Sequence, residues 1–142
     1  MPLDYPKAGL NYATEFQISG LPYVTSSFVT GSSFTTASNM LIVNFPYVAK
    51  HISVYNYAAS SGSYLRVGFT SNGVFSGGNY FKVPGGGVVQ EDLRIKSLFI
   101  MCDGAYNISC SVLAGLTNIP NRFMPVLTGT LPDGSSSWDG VG

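Results

Sequence analysis

Three observations in this sequence predict an all-β fold of antiparallel sheets. First, apolar residues recur with a period of two. Ile52 and Val54 alternate with His51, Ser53 and Tyr55, and Leu65, Val67 and Phe69 alternate with Arg66, Gly68 and Thr70. That period marks strands with one buried face. Second, the 142 residues are only 10% charged but carry 17 Gly, 9 Tyr and 9 Phe, whereas an average soluble protein is about 25% charged. Aromatic residues, glycines and hydroxyl residues favour strands joined by turns, and the apolar content is too high for a disordered chain. Third, no segment of helix length keeps a 3.6-residue apolar stripe free of Gly, Pro and β-branched interruptions. The length suits one domain, and at roughly 140 residues a chain buries about two thirds of its unfolded surface without metal or disulfide staples.

Residues 1–13 contain Pro2 and Pro6 and show no alternation, which predicts an irregular N-terminal arm. A first strand is expected at 14–19 around Phe16 and Ile18, and a second at 23–29, with Pro22 marking an edge or a bend because it has no backbone donor. Residues 39–45 contain the apolar run Met40-Leu41-Ile42-Val43, suited to a strand buried on both faces, and Pro46 is expected to end it. The two alternating segments around Ile52 and Val67 follow, separated by Ser60-Ser61-Gly62-Ser63, a break long enough for a hairpin or a crossing between sheets. Asn72-Gly73 tolerates positive φ and turns the chain. Residues 80–83 form a short strand closed by Pro84-Gly85-Gly86-Gly87, and residues 88–93 form another. Residues 97–102 are the most apolar run and should be central. Residues 107–113 alternate, with Ile108, Cys110 and Val112 inward and Asn107, Ser109 and Ser111 outward. Regularity ends after Pro120.

About eight antiparallel strands at 14–120 fit a two-sheet sandwich or a barrel, and the eight-stranded jelly roll, a β-sandwich, matches the count best, between an arm at 1–13 and an irregular tail at 121–142. Leu3, Tyr5, Leu10 and Tyr12 in the arm, and Phe123, Met124, Leu127 and Trp138 in the tail, have no place in an eight-strand core. Large apolar side chains on irregular ends either dock on a neighbouring subunit or cover an open end of their own sandwich. They are the candidate subunit-interface residues.

Composition argues against several functions. The seven basic residues are spread along the chain, so no nucleic-acid footprint is expected. The N-terminus shows no cationic region followed by an apolar core, and no apolar run approaches the ~20 residues of a membrane span, so a soluble chain without direct membrane insertion is expected. Cys102 and Cys110 read as two buried thiols. Asn107-Ile108-Ser109 matches a glycosylation sequon, which has no use without a secretory route. Val88-Val89-Gln90, a strand-like run, follows the Gly85-Gly86-Gly87 tip where a phosphate loop would need a helix. The single histidine, His51, reads as structural, and no nucleophile-elbow motif surrounds a serine. Glu91 and Asp92 face opposite ways on a strand. Asp133-Gly134-Ser135 is too sparse for calcium, and no cluster has zinc spacing. No enzyme, metal or cofactor is expected. The tyrosines Tyr47, Tyr55, Tyr57, Tyr64 and Tyr80 would suit sugar stacking, so a carbohydrate- or receptor-binding module is the alternative reading.

Residues 64–74 (YLRVGFTSNGV), Asn79-Tyr80-Phe81 and 111–120 (SVLAGLTNIP) resemble the small single jelly-roll capsid proteins of large icosahedral double-stranded DNA viruses, in particular the penton, or vertex, protein of the algal-virus type. The likeness covers roughly residues 14–120 and consists of strand-and-turn patterns. It implies a structural virion protein, assembled in the host cytoplasm into a homopentamer at the five-fold vertices. The implied partners are the neighbouring major and minor capsid proteins. No catalytic residue is carried over.

Overall fold

A computed structural model describes residues 21–30, 40–104 and 107–124. These form seven strands: β1 (Leu21–Val29), β2 (Leu41–Asn56), β3 (Leu65–Gly68), β4 (Phe81–Val83), β5 (Val88–Glu91), β6 (Ile95–Cys102) and β7 (Ile108–Pro120). A wide helical turn, Gly73–Gly77, lies between β3 and β4, and a single 3₁₀ turn, Asn121–Phe123, follows β7. Every pairing is antiparallel, in the order β1-β7-β2-β6-β3-β4 with β5 also on β2. The expected strand at 14–19 lies outside the described residues.

The long strand β2 departs from the sequence expectation. Pro46 does not end a strand; it sits inside β2, where the register shifts between Asn44 and Ala49. Residues 41–44 pair with β6, which Ala49 touches once more through Ile95, whereas 47–56 pair with β7 on one side and, from Ile52, with β5 on the other. A proline cannot donate to a ladder, so it is tolerated where the strand changes partner. Two four-strand pairing sets result. One is β1, β7, the second half of β2, and β5; the other is the first half of β2, β6, β3 and β4. Inward side chains from both sets form one core. Val29, Ile52, Val54, Cys110, Val112 and Leu116 come from the first set, and Val43, Leu65, Val67, Val83, Leu98 and Ile100 from the second. This supports a β-sandwich.

The Ser60–Ser63 break is a crossing and not a hairpin, since β3 pairs with β4 and β6 and not with β2. Asn56 anchors the crossing. Its buried amide donates to the Ser63 carbonyl at 2.8 Å and the Val83 carbonyl at 2.9 Å, and its Oδ1 accepts from Ala58 N–H. Its own carbonyl accepts from the N–H of Gly86, a residue at φ 75°. One side chain therefore ties the end of β2 to the starts of both later turns. The run at 97–102 is interior, as its composition predicts, because β6 lies between β2 and β3. β7 runs well beyond the expected 107–113, to Pro120.

Candidate functional site

The two pairing sets present different outer surfaces. In the first set, aligned rows run Val24–Leu113–Ser53–Gln90 and Ser26–Ser111–Tyr55–Val88, with Phe28 opposite Ser109. All these residues have the opposite parity to the core residues, so they share the outward face. Val24 is 70% exposed and Phe28 58%, and Leu113, Val88 and Tyr57 are also exposed. Tyr55 and Tyr57 hold their rings nearly parallel, 6.4 Å apart. At the centre of this face the Ser26 and Ser111 hydroxyls hydrogen-bond at 2.7 Å. Ser111 thus faces outward, as the alternation predicts, but is buried by its neighbours. The two rows and the Phe28–Ser109 pair contain no charged residue.

At one end of this face a polar chain of contacts runs from Asp92 through His51 to Ser53. His51 Nδ1 lies 2.9 Å from Asp92 Oδ1, and Nε2 lies 3.2 Å from Ser53 Oγ. The order Asp–His–Ser matches that of a hydrolytic triad, but the accessibilities are reversed. Ser53, which would be the nucleophile, is 1% exposed, while the Asp92 side chain is 82% exposed. A triad needs an open nucleophile and a shielded acid that orients the histidine. Ser53 N–H also belongs to a strand paired on both sides, so no oxyanion-hole donor is supplied there. The arrangement fits a polar stitch between β2 and the end of β5.

The second set is covered from outside over β3 by the chain itself, while Ile42, in the same row across Phe99, stays 49% exposed. Gly68 faces outward, and Val74 of the wide turn sits on it, fully buried. A Cβ at position 68 would come within 2.5 Å of Val74 Cγ2 and 3.0 Å of the Asn79 carbonyl oxygen. Beside it, Asp103 accepts from Arg66 Nε at 2.8 Å and pairs with Lys82 Nζ at 2.7 Å. Arg66 lies over the Tyr80 ring and Lys82 over that of Tyr64. Burial alone would raise the Asp103 carboxyl, but hydrogen bonds from Lys82 and Arg66, with their charges, hold it below its ordinary value. The hydrogen bond to Asp103 pushes Lys82 up.

Of the candidate interface residues, Leu3, Tyr5, Leu10, Tyr12, Leu127 and Trp138 lie outside the described residues. Phe123 is exposed, under the Arg122 guanidinium. Met124 is half-buried in a hollow of about 190 Å³ lined by Val48, Arg94, Ile119 and Phe123. The two flank the end of β7 and do not belong to the outer rows around Val24. Sequence reasoning missed Val24, Phe28, Leu113 and Val88. The available signal was that 23–29 carries apolar residues of both parities (Tyr23 and Val29; Val24 and Phe28), one set more than a single core uses. Cys102 and Cys110 are free, buried thiols, each pushed up to about 11 by desolvation. Among the described residues no three His, Cys, Asp or Glu side chains form a metal-binding group, and no helix is long and apolar enough to cross a membrane. No protein-family model matches the sequence, and no curated protein is significantly similar to it.

Proposed function

We propose that this chain is a structural capsid protein of a large icosahedral double-stranded DNA virus, a single jelly roll that forms the homopentameric penton at the five-fold vertices. The observation that carries the assembly reading is the outer face of β1, β7, β2 and β5, whose rows expose Val24, Phe28, Leu113 and Val88 without a charged residue. A monomer gains nothing from such a face, while a subunit that buries it gains about 2 kcal/mol for each large side chain covered. Strand order supports the jelly-roll part. When β2 is read as two strands hinged near Pro46, there are eight strands in two sets of four, and successive strands cross between the sets except at β3–β4, which pair within one set, an order that fits a double Greek key. The five-membered ring, the vertex position in the virion and the neighbouring major and minor capsid proteins rest on the sequence resemblance.

No catalytic role is assigned. The reversed accessibilities of Ser53 and Asp92 support that reading, and a fluorophosphonate probe should leave Ser53 unlabelled in the folded protein. Native mass measurement of the purified chain, together with peptide mapping of virions, tests the function. A five-fold mass and presence in particles are expected. A chain that stays monomeric at every concentration and never enters particles overturns the proposal.

A second reading has its own observation. Tyr55 and Tyr57 form a parallel ring pair on the same open face, and aromatic faces stack on sugars, so the domain would be a carbohydrate- or receptor-binding module. Silence of the assembled protein on a glycan array counts against it.

A further inference from the structure

Six Lys and Arg side chains lie among the described residues, and the fold gathers three of them at one end of the molecule. Arg94 stands in the connection between β5 and β6, Lys96 in β6 and Arg122 in the 3₁₀ turn after β7. Pairing with β2 brings these distant parts of the chain together. Ala49 is opposite both Ile95 of β6 and Leu116 of β7, and Tyr47 is opposite Pro120. Two side chains then fix the end of β7 to the bend of β2. Thr117 Oγ1 donates to the Val48 carbonyl at 2.7 Å, and Asn121 Nδ2 donates to the Phe45 carbonyl at 3.0 Å. The result is a hollow of about 190 Å³ with Val48, Ile119, Phe123 and Met124 as apolar walls and the exposed Arg94 beside them. We propose that this hollow binds an acidic peptide segment of a partner protein, seating one aliphatic side chain against Ile119 and Phe123 and pairing the carboxylates beside it with Lys96 and Arg122.

Charge complementarity selects an anionic partner. Among the described residues the ion pairs are His51–Asp92, Arg66–Asp103 and Lys82–Asp103, and no carboxylate pairs with Lys96 or Arg122. Lys96 Nζ donates to the Met124 carbonyl at 3.3 Å, and the Arg122 guanidinium lies 5.0 Å from the centre of the exposed Phe123 ring. The two acidic residues just before Leu93 serve other places: Asp92 holds His51, and Glu91 lines a cleft beside β4. An ammonium and a guanidinium fork set around one recess suit carboxylates. The apolar walls then select a peptide over a nucleic acid or a free phosphate. A phosphate group gives Ile119, Phe123 and Met124 nothing to bury, and a nucleic-acid backbone calls for a longer stripe of cations than this. The size agrees. About 190 Å³ is less than the roughly 300–1,000 Å³ of a small-molecule pocket, so the hollow suits one anchoring side chain of a segment that continues outside it.

The test uses the full chain and a fluorescein-labelled peptide of glutamate, aspartate and one leucine in a glycine-serine frame. Fluorescence anisotropy should show saturable binding that weakens as salt rises. Replacing the peptide's leucine by alanine, or its acids by their amides, should weaken binding roughly tenfold in each case. Lys96→Gln with Arg122→Gln should weaken it by roughly tenfold or more. Lys82→Gln, beside β3 and away from the hollow, should leave it unchanged. Phe123→Ala removes an exposed side chain, so the protein stays folded and binding should still fall several-fold. Absence of binding to the native chain overturns the proposal. So does an affinity that ignores the peptide's leucine, which reduces the site to a generic anion patch, and so does a DNA duplex that outcompetes the peptide, which makes nucleic acid the partner. Binding that appears only with Asp133→Asn and Asp139→Asn also overturns it, because the chain's own acids then hold the site. None of these readouts involves the outer face of β1 and β7, so they stand or fall separately from the assembly reading.

Discussion

Outside β3 and β6, Val74 is fully buried on Gly68, and an ion network of Asp103, Arg66 and Lys82 closes the surface beside it. Outside β1 and β7, Val24 and Phe28 stand 70% and 58% exposed, with only a serine pair between the strands. Both faces belong to the same sandwich and pack on the same core. Among the described residues, the wide turn and several of the few charges lie on the first, where Ile42 alone is an exposed large aliphatic, and the second is apolar and largely exposed. A face that must remain in water is best made polar or covered, since exposed apolar area is an association hazard. On the proposed function, the contrast separates a largely finished surface from one that assembly would complete.

Four substitutions test this contrast, and their expected effects on folding fall from the first to the last. Asn56 serves both sheets, so Asn56→Ala should cost the most. It leaves the buried Ser63 and Val83 carbonyls without donors, and the loss should be about 3 kcal/mol in urea unfolding. A loss below about 1 kcal/mol would mean that the crossing is held by other contacts. Gly68→Ala attacks the finished face alone. Its methyl group must push Val74 or the Asn79 carbonyl aside, costing about 2 kcal/mol. Hydrogen exchange should accelerate at Val74, whose amide is bonded to the Thr70 carbonyl, and leave β1 and β7 protected.

Asp103→Asn removes the ion network and should cost about 1 kcal/mol at neutral pH, since the pairs are partly solvated. It should also change the acid limb of the stability curve. In the native protein the Asp103 carboxyl sits below its ordinary value of 3.8. Its contribution is therefore present above that unfolded value and is lost as pH falls through the lower folded one. Lys82 has the opposite sign. Its folded value lies above 10.5, so its contribution is full below 10.5 and is lost as pH rises through the folded value. The Asn variant should be flatter than the native protein at both ends, as read by thermal melts across pH. An unchanged acid limb would show that Asp103 contributes nothing. Phe28→Asp on the bare face should alter monomer stability least, within about 0.5 kcal/mol, yet abolish oligomers in native mass spectra. Oligomers that survive Phe28→Asp together with Val24→Asp would show that assembly uses another surface.

The period-two runs around Ile52, Val67 and Ile108 were enough to place strands and to say which residues face inward, because a strand's side-chain period is a local property. Low charge and the Gly-rich breaks were enough for an all-β chain. Partnership was not legible. Pro46 looked like a stop because its missing donor is a local fact, while its tolerance depends on the strand exchanging β6 for β7 at that point. Whether 60–63 made a hairpin or a crossing was equally open, since Asn56 decides it through Val83, 27 residues away in sequence. Gly68 looked like any polar-parity residue, and only the arrival of Val74 over it makes its missing Cβ necessary. The open face was hidden for the same reason. Val24 and Phe28 share a parity in the sequence, but whether that parity is covered by the chain's own turn or left bare depends on which strands lie beside β1, and long-range pairing sets that.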